Sequence, residues 1–196
     1  ILVDVSDPTG NTWYAGSTGG GVWKTTDESV TWSEISNGME SIAISWLDQS
    51  KSQPNVLYAA TGVAWVGGIQ DITGAGVYKS VDSGKNWINV SPRESNGYVL
   101  DEFNNVSRLL VDPTDPDIVI ASTTEDYFAQ GHIWKTIDGG KNWTEVASAS
   151  TRIQQVIAAP SDFNIQYAAV RGVGVLRSVD RGSTWTNPGG INLSGT

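Results

Sequence analysis

One octet recurs four times along this chain, and the recurrence constrains the fold more than any other feature. It reads Thr25-Thr26-Asp27-Glu28-Ser29-Val30-Thr31-Trp32, then Ser80-Val81-Asp82-Ser83-Gly84-Lys85-Asn86-Trp87, then Thr136-Ile137-Asp138-Gly139-Gly140-Lys141-Asn142-Trp143, and last Ser178-Val179-Asp180-Arg181-Gly182-Ser183-Thr184-Trp185. Each copy follows a tetrapeptide in which apolar and polar residues alternate, Gly21 to Lys24, Gly76 to Lys79, His132 to Lys135 and Gly174 to Arg177, as a half-buried strand requires. The octet suits a hairpin turn. Its Asp accepts hydrogen bonds from backbone N–H groups two or more residues on, the Ser or Thr hydroxyl closes the other side, and Gly supplies positive φ. Trp32, Trp87, Trp143 and Trp185 are then expected in equivalent buried positions. Ser29 replaces the glycine in the first copy, which strains that turn by on the order of 1 kcal/mol if the backbone is kept.

Upstream of each octet lie a strand, a Pro-containing turn and a second strand. The third unit shows Val106 to Val111, Asp112-Pro113-Thr114-Asp115-Pro116 and Ile118 to Thr123. The second has Ile42 to Leu47, Pro54 and Val56 to Thr61; the first Leu2 to Val5, Asp7-Pro8 and Trp13 to Ser17; the fourth Ile153 to Ala159, Pro160 and Ile165 to Ala169. The octet aspartates are 55, 56 and 42 residues apart, and four-stranded units of that length are blades of a β-propeller. The expected fold is therefore all-β, a propeller with four-stranded antiparallel blades at about 1–38, 39–91, 92–149 and 150–188. Four blades suggest part of a larger ring, completed by further blades or a partner chain, with a closed four-bladed ring as the alternative.

Composition narrows the function classes. Twelve Lys plus Arg against 21 Asp plus Glu give a net charge of −9, a field that repels nucleic acid. Without cysteine, zinc–thiolate sites and disulfides are excluded, and a single histidine, His132, leaves little for metal or triad chemistry. No metal or cofactor is expected. No stretch approaches the roughly 18 apolar residues that cross a bilayer. The 22 glycines and the lack of any long 3.6-residue period favour short strands and tight turns. The chain begins at Ile1 without a basic, apolar leader, which points to a processed form or a fragment.

The octets resemble the Asp-box, or bacterial neuraminidase repeat, of sialidases, sortilin-type receptors and xyloglucanase-like glycoside hydrolases. The longer unit, with its Gly21-Val22-Trp23-Lys24-Thr25 lead-in and Asp-Pro turn, is most similar to secreted bacterial repeat proteins related to the xyloglucanase-like propellers. That resemblance implies an extracellular or cell-surface protein. It also implies that function lies on the face opposite the octet turns, and it departs at one point: Thr18 stands in the Gly16 to Trp23 stretch where the family's first-blade carboxylate is expected. The early Arg-Ile-Pro motif of sialidases is missing too.

On that opposite face two insertions, Gly62 to Gly74 and Thr124 to Gly131, and the crossover Pro92 to Asn105 are expected to cluster over the second and third units. They offer Trp65, Asp71, Arg93, Glu94, Tyr98, Asp101, Glu102, Glu125, Asp126, Tyr127 and His132, flat aromatics among carboxylates that suit sugar. The expected ligand contacts are Trp65, Tyr98, Asp101, Glu125 and Tyr127. A glycosidase needs two carboxyl groups roughly 5 to 9.5 Å apart, for which Asp101-Glu102 and Glu125-Asp126 are the candidates. Each loop carboxylate has solvation as its ordinary alternative, and Trp65 can equally cap a blade edge. For Asp27, Asp82, Asp138 and Asp180 the structural role outweighs calcium, which wants six to eight oxygens. Three triplets, at Asn105, Asn142 and Asn192, match the N-glycosylation pattern. The expected function is a binding or scaffold module for glycan or protein. The alternatives are a polysaccharide hydrolase and a structural subunit of an extracellular assembly.

Overall fold

A computed structural model describes residues 1–63, 72–125 and 129–188. The first sheet contains β1 (Leu2–Val3), β2 (Trp13–Ser17), β3 (Gly21–Thr25) and β4 (Ser33–Glu34); the second β5 (Ile44–Gln49), β6 (Leu57–Thr61), β7 (Val77–Ser80) and β8 (Ile88–Asn89). The third contains β9 (Asn105–Val111), β10 (Val119–Thr124), β11 (Gly131–Thr136) and β12 (Thr144–Ala149), and the fourth β13 (Ile153–Ala159), β14 (Asp162–Val170) and β15 (Gly174–Ser178). Every sheet is an antiparallel meander in chain order. In the fourth sheet Arg177 and Thr186 exchange backbone hydrogen bonds of 2.8 and 2.9 Å. That is the register of Lys24 with Ser33, Lys79 with Ile88 and Lys135 with Thr144, where the other sheets carry their last strand. Among the described residues the only helix is one 3-10 turn, Asp101–Phe103.

The expected second-unit strand from Ile42 lies two residues further on. Ile42 is exposed, and its carbonyl accepts the Gly21 N–H at 3.0 Å, closing the connection between sheets. Three apolar cores lie between successive sheets. Tyr14 and Val22 pack against Leu47, Leu57, Ala59 and Tyr78; Tyr58 and Val77 against Leu109, Val111 and Ala121; Ile120 and Ile133 against Val156, Ala168 and Val170. Alternation along each strand supplies one apolar face to each neighbour, so an inner sheet is buried on both sides.

All four octets fold into one turn. Asp27, Asp82, Asp138 and Asp180 each accept the N–H of the Thr or Asn four residues on at 2.9 Å, and that residue's side chain at 2.7, 2.8, 2.7 and 2.6 Å. Those side-chain bonds, with the backbone ones, hold the four carboxylates down to about 2. Two consecutive residues sit at positive φ in every copy: Glu28-Ser29, Ser83-Gly84, Gly139-Gly140 and Arg181-Gly182. Ser29, at φ 70°, keeps the backbone its glycine counterparts have.

The tryptophans are not equivalently buried. Trp87 is 3% exposed and donates its indole N–H to Ile35 of the preceding sheet at 2.8 Å; Trp143 is half-buried and donates likewise to Val90. Trp32, with no sheet before it, and Trp185, which donates to Gly182 in its own turn, are also half-buried.

Candidate binding face

The meander puts the β1–β2 type turns and the octets at one end of each sheet, and the β2–β3 type loops with the crossovers at the other. At this second end the structure joins several of the expected segments. The crossover is pinned by Phe103, which is fully buried beneath Trp134 and Trp143 with ring centroids 5.3 and 5.6 Å away. The carbonyl of Asn104 accepts the Gly74 N–H at 2.7 Å, and Asn105 donates its amide N–H to the Glu125 carbonyl at 2.7 Å. The starts of β9 and β7 and the end of β10 thus meet.

Beside this meeting point lies a cleft of about 270 Å³, lined by Thr18, Ser45, Asn105, Ser107, Thr124 and Arg152 with Ile44, Gly62 and Val63. Its residues come from all four units, and among the described residues no carboxylate lines it. Ser45 donates to the Val106 carbonyl and Ser107 to the Ile153 carbonyl at 3.0 Å, so each hydroxyl ties its first strand to the next one. Asn105 is 2% exposed, and its side-chain carbonyl oxygen has no hydrogen-bond partner among the described residues although its N–H is satisfied. A buried unpaired acceptor costs about 1–3 kcal/mol, and a ligand hydroxyl or amide would meet that need.

Next to the cleft a second polar group lies between the sheets. The Arg108 guanidinium lies 3.4 Å from the centre of the Trp46 ring. Burial lowers the Arg108 pKa, opposed by the charge of Asp48. Asp48 accepts the Val111 N–H at 2.8 Å and the Gln49 N–H at 2.9 Å. Burial pushes its carboxyl up to about 6 against those bonds. Sequence reasoning did not single out Asn105 as a ligand contact, nor Asp48. An Asp within a strand that also carries Ile44, Trp46 and Leu47 was the available signal for the second.

The expected contacts fall as follows. Tyr98 is 74% exposed in a small hairpin closed by the Arg93–Val99 bridge. Asp101 and Glu102 lie on the 3-10 turn, with Asp101 receiving the Asn104 side chain at 3.4 Å. Glu125 is exposed at the end of β10, its backbone carbonyl engaged by Asn105. Trp65, Asp71, Asp126 and Tyr127 lie outside the described residues. His132 has its Nδ1 3.0 Å from Glu145 on β12 and its ring centroid 6.2 Å from that of Trp134. The Asn105 side-chain nitrogen, the atom a glycosylation would use, is engaged with the Glu125 carbonyl. Asn142 is engaged with Asp138, and Asn192 lies outside the described residues.

No protein-family model and no curated protein matches this chain. Solved structures do match. An ancestral GH74 enzyme superposes with a TM-score of 0.70 at 16% identity, over 92% of this chain and 22% of its own. The GH74 xyloglucanase from Xanthomonas campestris gives 0.66 at 18%, over 97% and 30%. YCF48 bound to D1 peptide gives 0.53 at 13%, over 90% and 64%. At such identities the likeness is one of fold. The chain has a β-propeller fold with four antiparallel sheets, and it spans less than a third of the two GH74 chains.

Proposed function

We propose that this chain is a non-catalytic binding module that works outside the cell and holds a neutral glycan over the cleft at Asn105. The unpaired, buried Asn105 carbonyl oxygen carries the reading. It calls for a donor, and the hydroxyls of Ser45 and Ser107, whose protons go to the Val106 and Ile153 carbonyls, keep lone pairs that accept as well. A sugar hydroxyl both donates and accepts, so it matches such a lining. Tyr98, exposed on the hairpin of the crossover that leads into Asn105, supplies a flat ring for stacking. The net charge of −9 disfavours acidic sugars. Hydrolysis needs two carboxyl groups about the bond, and among the described residues none lines this cleft. The extracellular setting rests on the Asp-box resemblance. A peptide is the second reading, since YCF48, a propeller of similar fold, is bound to one.

Titration calorimetry with neutral β-glucan and xyloglucan oligosaccharides, acidic oligosaccharides and unrelated peptides tests this. Neutral sugars are expected to bind, Asn105→Leu to weaken them at least tenfold, and no reducing sugar to appear. Binding by peptide alone, or release of reducing sugar, overturns the proposal.

A further inference from the structure

The sheets differ in their outermost strand. β4 and β8 are two residues long. After each the chain leaves the sheet at a serine, and the Ser36 or Ser91 hydroxyl accepts the N–H of Val22 or Val77 at 2.7 Å in place of a backbone carbonyl. β12 instead runs for six residues and stays paired with β11 as far as Gly131, the ladder broken once by a register shift at Val146. Sheets keep foreign strands off their edges with short outer strands, lysine or proline. β12 has neither Lys nor Pro; Ala147, Ser148 and Ala149 are small, and its one charged residue, Glu145, lies 3.0 Å from His132 Nδ1. Among the described residues no strand pairs with its other side. This edge stands between two described octets, so sheets packed on the first or the fourth would leave it open.

Beside the edge, toward the fourth unit, lies a groove of about 470 Å³ lined by Ile137, Thr144 and Val146 together with Lys135, Asp138 and Ser183. Ile137 is 71% exposed in it. A strand added to a sheet edge sends alternate side chains to one face, and beside Thr144 and Val146 that face opens into the groove. Charge selects the occupant. Lys135 donates to the Arg181 carbonyl and the Ser183 hydroxyl at 2.9 and 2.8 Å, and Asp180 offsets its charge. Asp138 and Glu145 remain, on a chain of net charge −9. A second copy would set these carboxylates against their own kind, whereas a basic segment is attracted.

We infer that β12 takes an extended, basic segment of another protein as an added strand of the third sheet, with one apolar side chain of that segment seated against Ile137 and Val146. Main-chain hydrogen bonds supply the affinity and the groove the selectivity. The surface is separate from the cleft at Asn105, because β11 and β10 stand between β12 and β9.

A capped peptide that alternates valine with lysine serves as the probe, titrated into the chain at physiological salt, where long-range attraction is screened. Saturable binding is expected, with slowed amide hydrogen exchange along β12. Changing the lysines to glutamates, or methylating the backbone nitrogens on the peptide's pairing edge, is expected to weaken binding at least tenfold. Ile137→Lys is expected to do the same, and Val81→Lys, at the matching octet position beside the short β8, to leave binding unchanged; melting curves confirm that both variants fold. Absence of binding, or equal binding of the methylated or the acidic peptide, overturns the inference. Exchange slowed along β9 instead of β12 places the peptide in the cleft and overturns it too, and self-association that the peptide disperses overturns it in favour of a second copy. None of these readouts depends on glycan binding.

Discussion

Trp143 donates its indole N–H to the carbonyl of Val90, 2.7 Å away in the preceding sheet, and Trp87 does the same to Ile35. The tryptophan that closes an octet therefore belongs to the junction before it, and its contribution depends on what stands there. Trp87→Ala is expected to cost about 3–5 kcal/mol. Trp32→Ala, on a face with no sheet before it among the described residues, is expected to cost below about 2 kcal/mol. Urea unfolding midpoints of the two variants check the ranking.

Gly140 and Ser29 occupy the same octet position with opposite consequences. Gly140→Ala places a Cβ 2.7 Å from Val90 at φ 93°. The strained backbone and the overpacking together are expected to cost about 2–4 kcal/mol. Ser29→Gly relieves a left-handed serine and is expected to stabilise the protein by roughly 0.5–1 kcal/mol, the strain relieved less the added freedom of the unfolded chain. Thermal melts of both variants measure the difference in sign.

How much was legible follows the same division between a turn and its surroundings. The octet's hydrogen bonds are local, so Asp82 and Asn86 could be placed by spacing alone. Trp87 is buried while Trp143 is half-buried although both reach the preceding unit some fifty residues away, a difference set by packing about which the octet says nothing. Phe103, Asn105 and Asp48 are set by junctions between units, and a repeat pattern describes the units rather than the spaces between them. Tyr98 and Glu125 could be placed on loops, but only the contact of Asn105 with Glu125 shows which loops share a cleft.

Asp48 makes stability depend on pH in an unusual direction. Its folded pKa of about 6 exceeds the ordinary 3.8, so between these values the native state holds a proton that the unfolded chain has released. Stability therefore falls as pH rises from about 4 to about 6, by on the order of 3 kcal/mol, and stays reduced above. Asp48→Asn keeps an acceptor for Val111 without the charge. The variant is expected to show a flatter profile over that window and greater stability at pH 7. Equal slopes for the two proteins would contradict this account.

The octet aspartates act in the opposite sense. Held near 2 when folded against 3.8 ordinarily, they contribute stability that is complete above about pH 4 and lost as pH falls through 2. Replacing Asp82 with Asn is expected to reduce the steepness of acid unfolding below pH 4, read by circular dichroism.

Arg181 joins the fourth octet to the third sheet through Asp112, donating from Nε at 2.9 Å and from Nη2 as well. The Asp112 side chain is 1% exposed and that of Arg181 38%. Burial alone would raise the Asp112 pKa, but the backbone and hydroxyl bonds from Thr114 and the contact with Arg181 bring it below the ordinary value. Removing the arginine leaves the Thr114 bonds, at 2.8 and 2.7 Å, to hold a buried charge alone. Arg181→Met is thus expected to cost about 1–2 kcal/mol at pH 7, below the full value for a buried pair because Arg181 is partly solvated. Arg181→Lys restores the charge without the two-pronged geometry and is expected to recover only part of the loss. The pH dependence separates this from lost packing. With Arg181 gone, burial weighs more on Asp112, and the deficit shrinks as acid protonates that carboxyl. A deficit that stayed constant from pH 7 to pH 4 would mean that Arg181 acts through its methylenes alone.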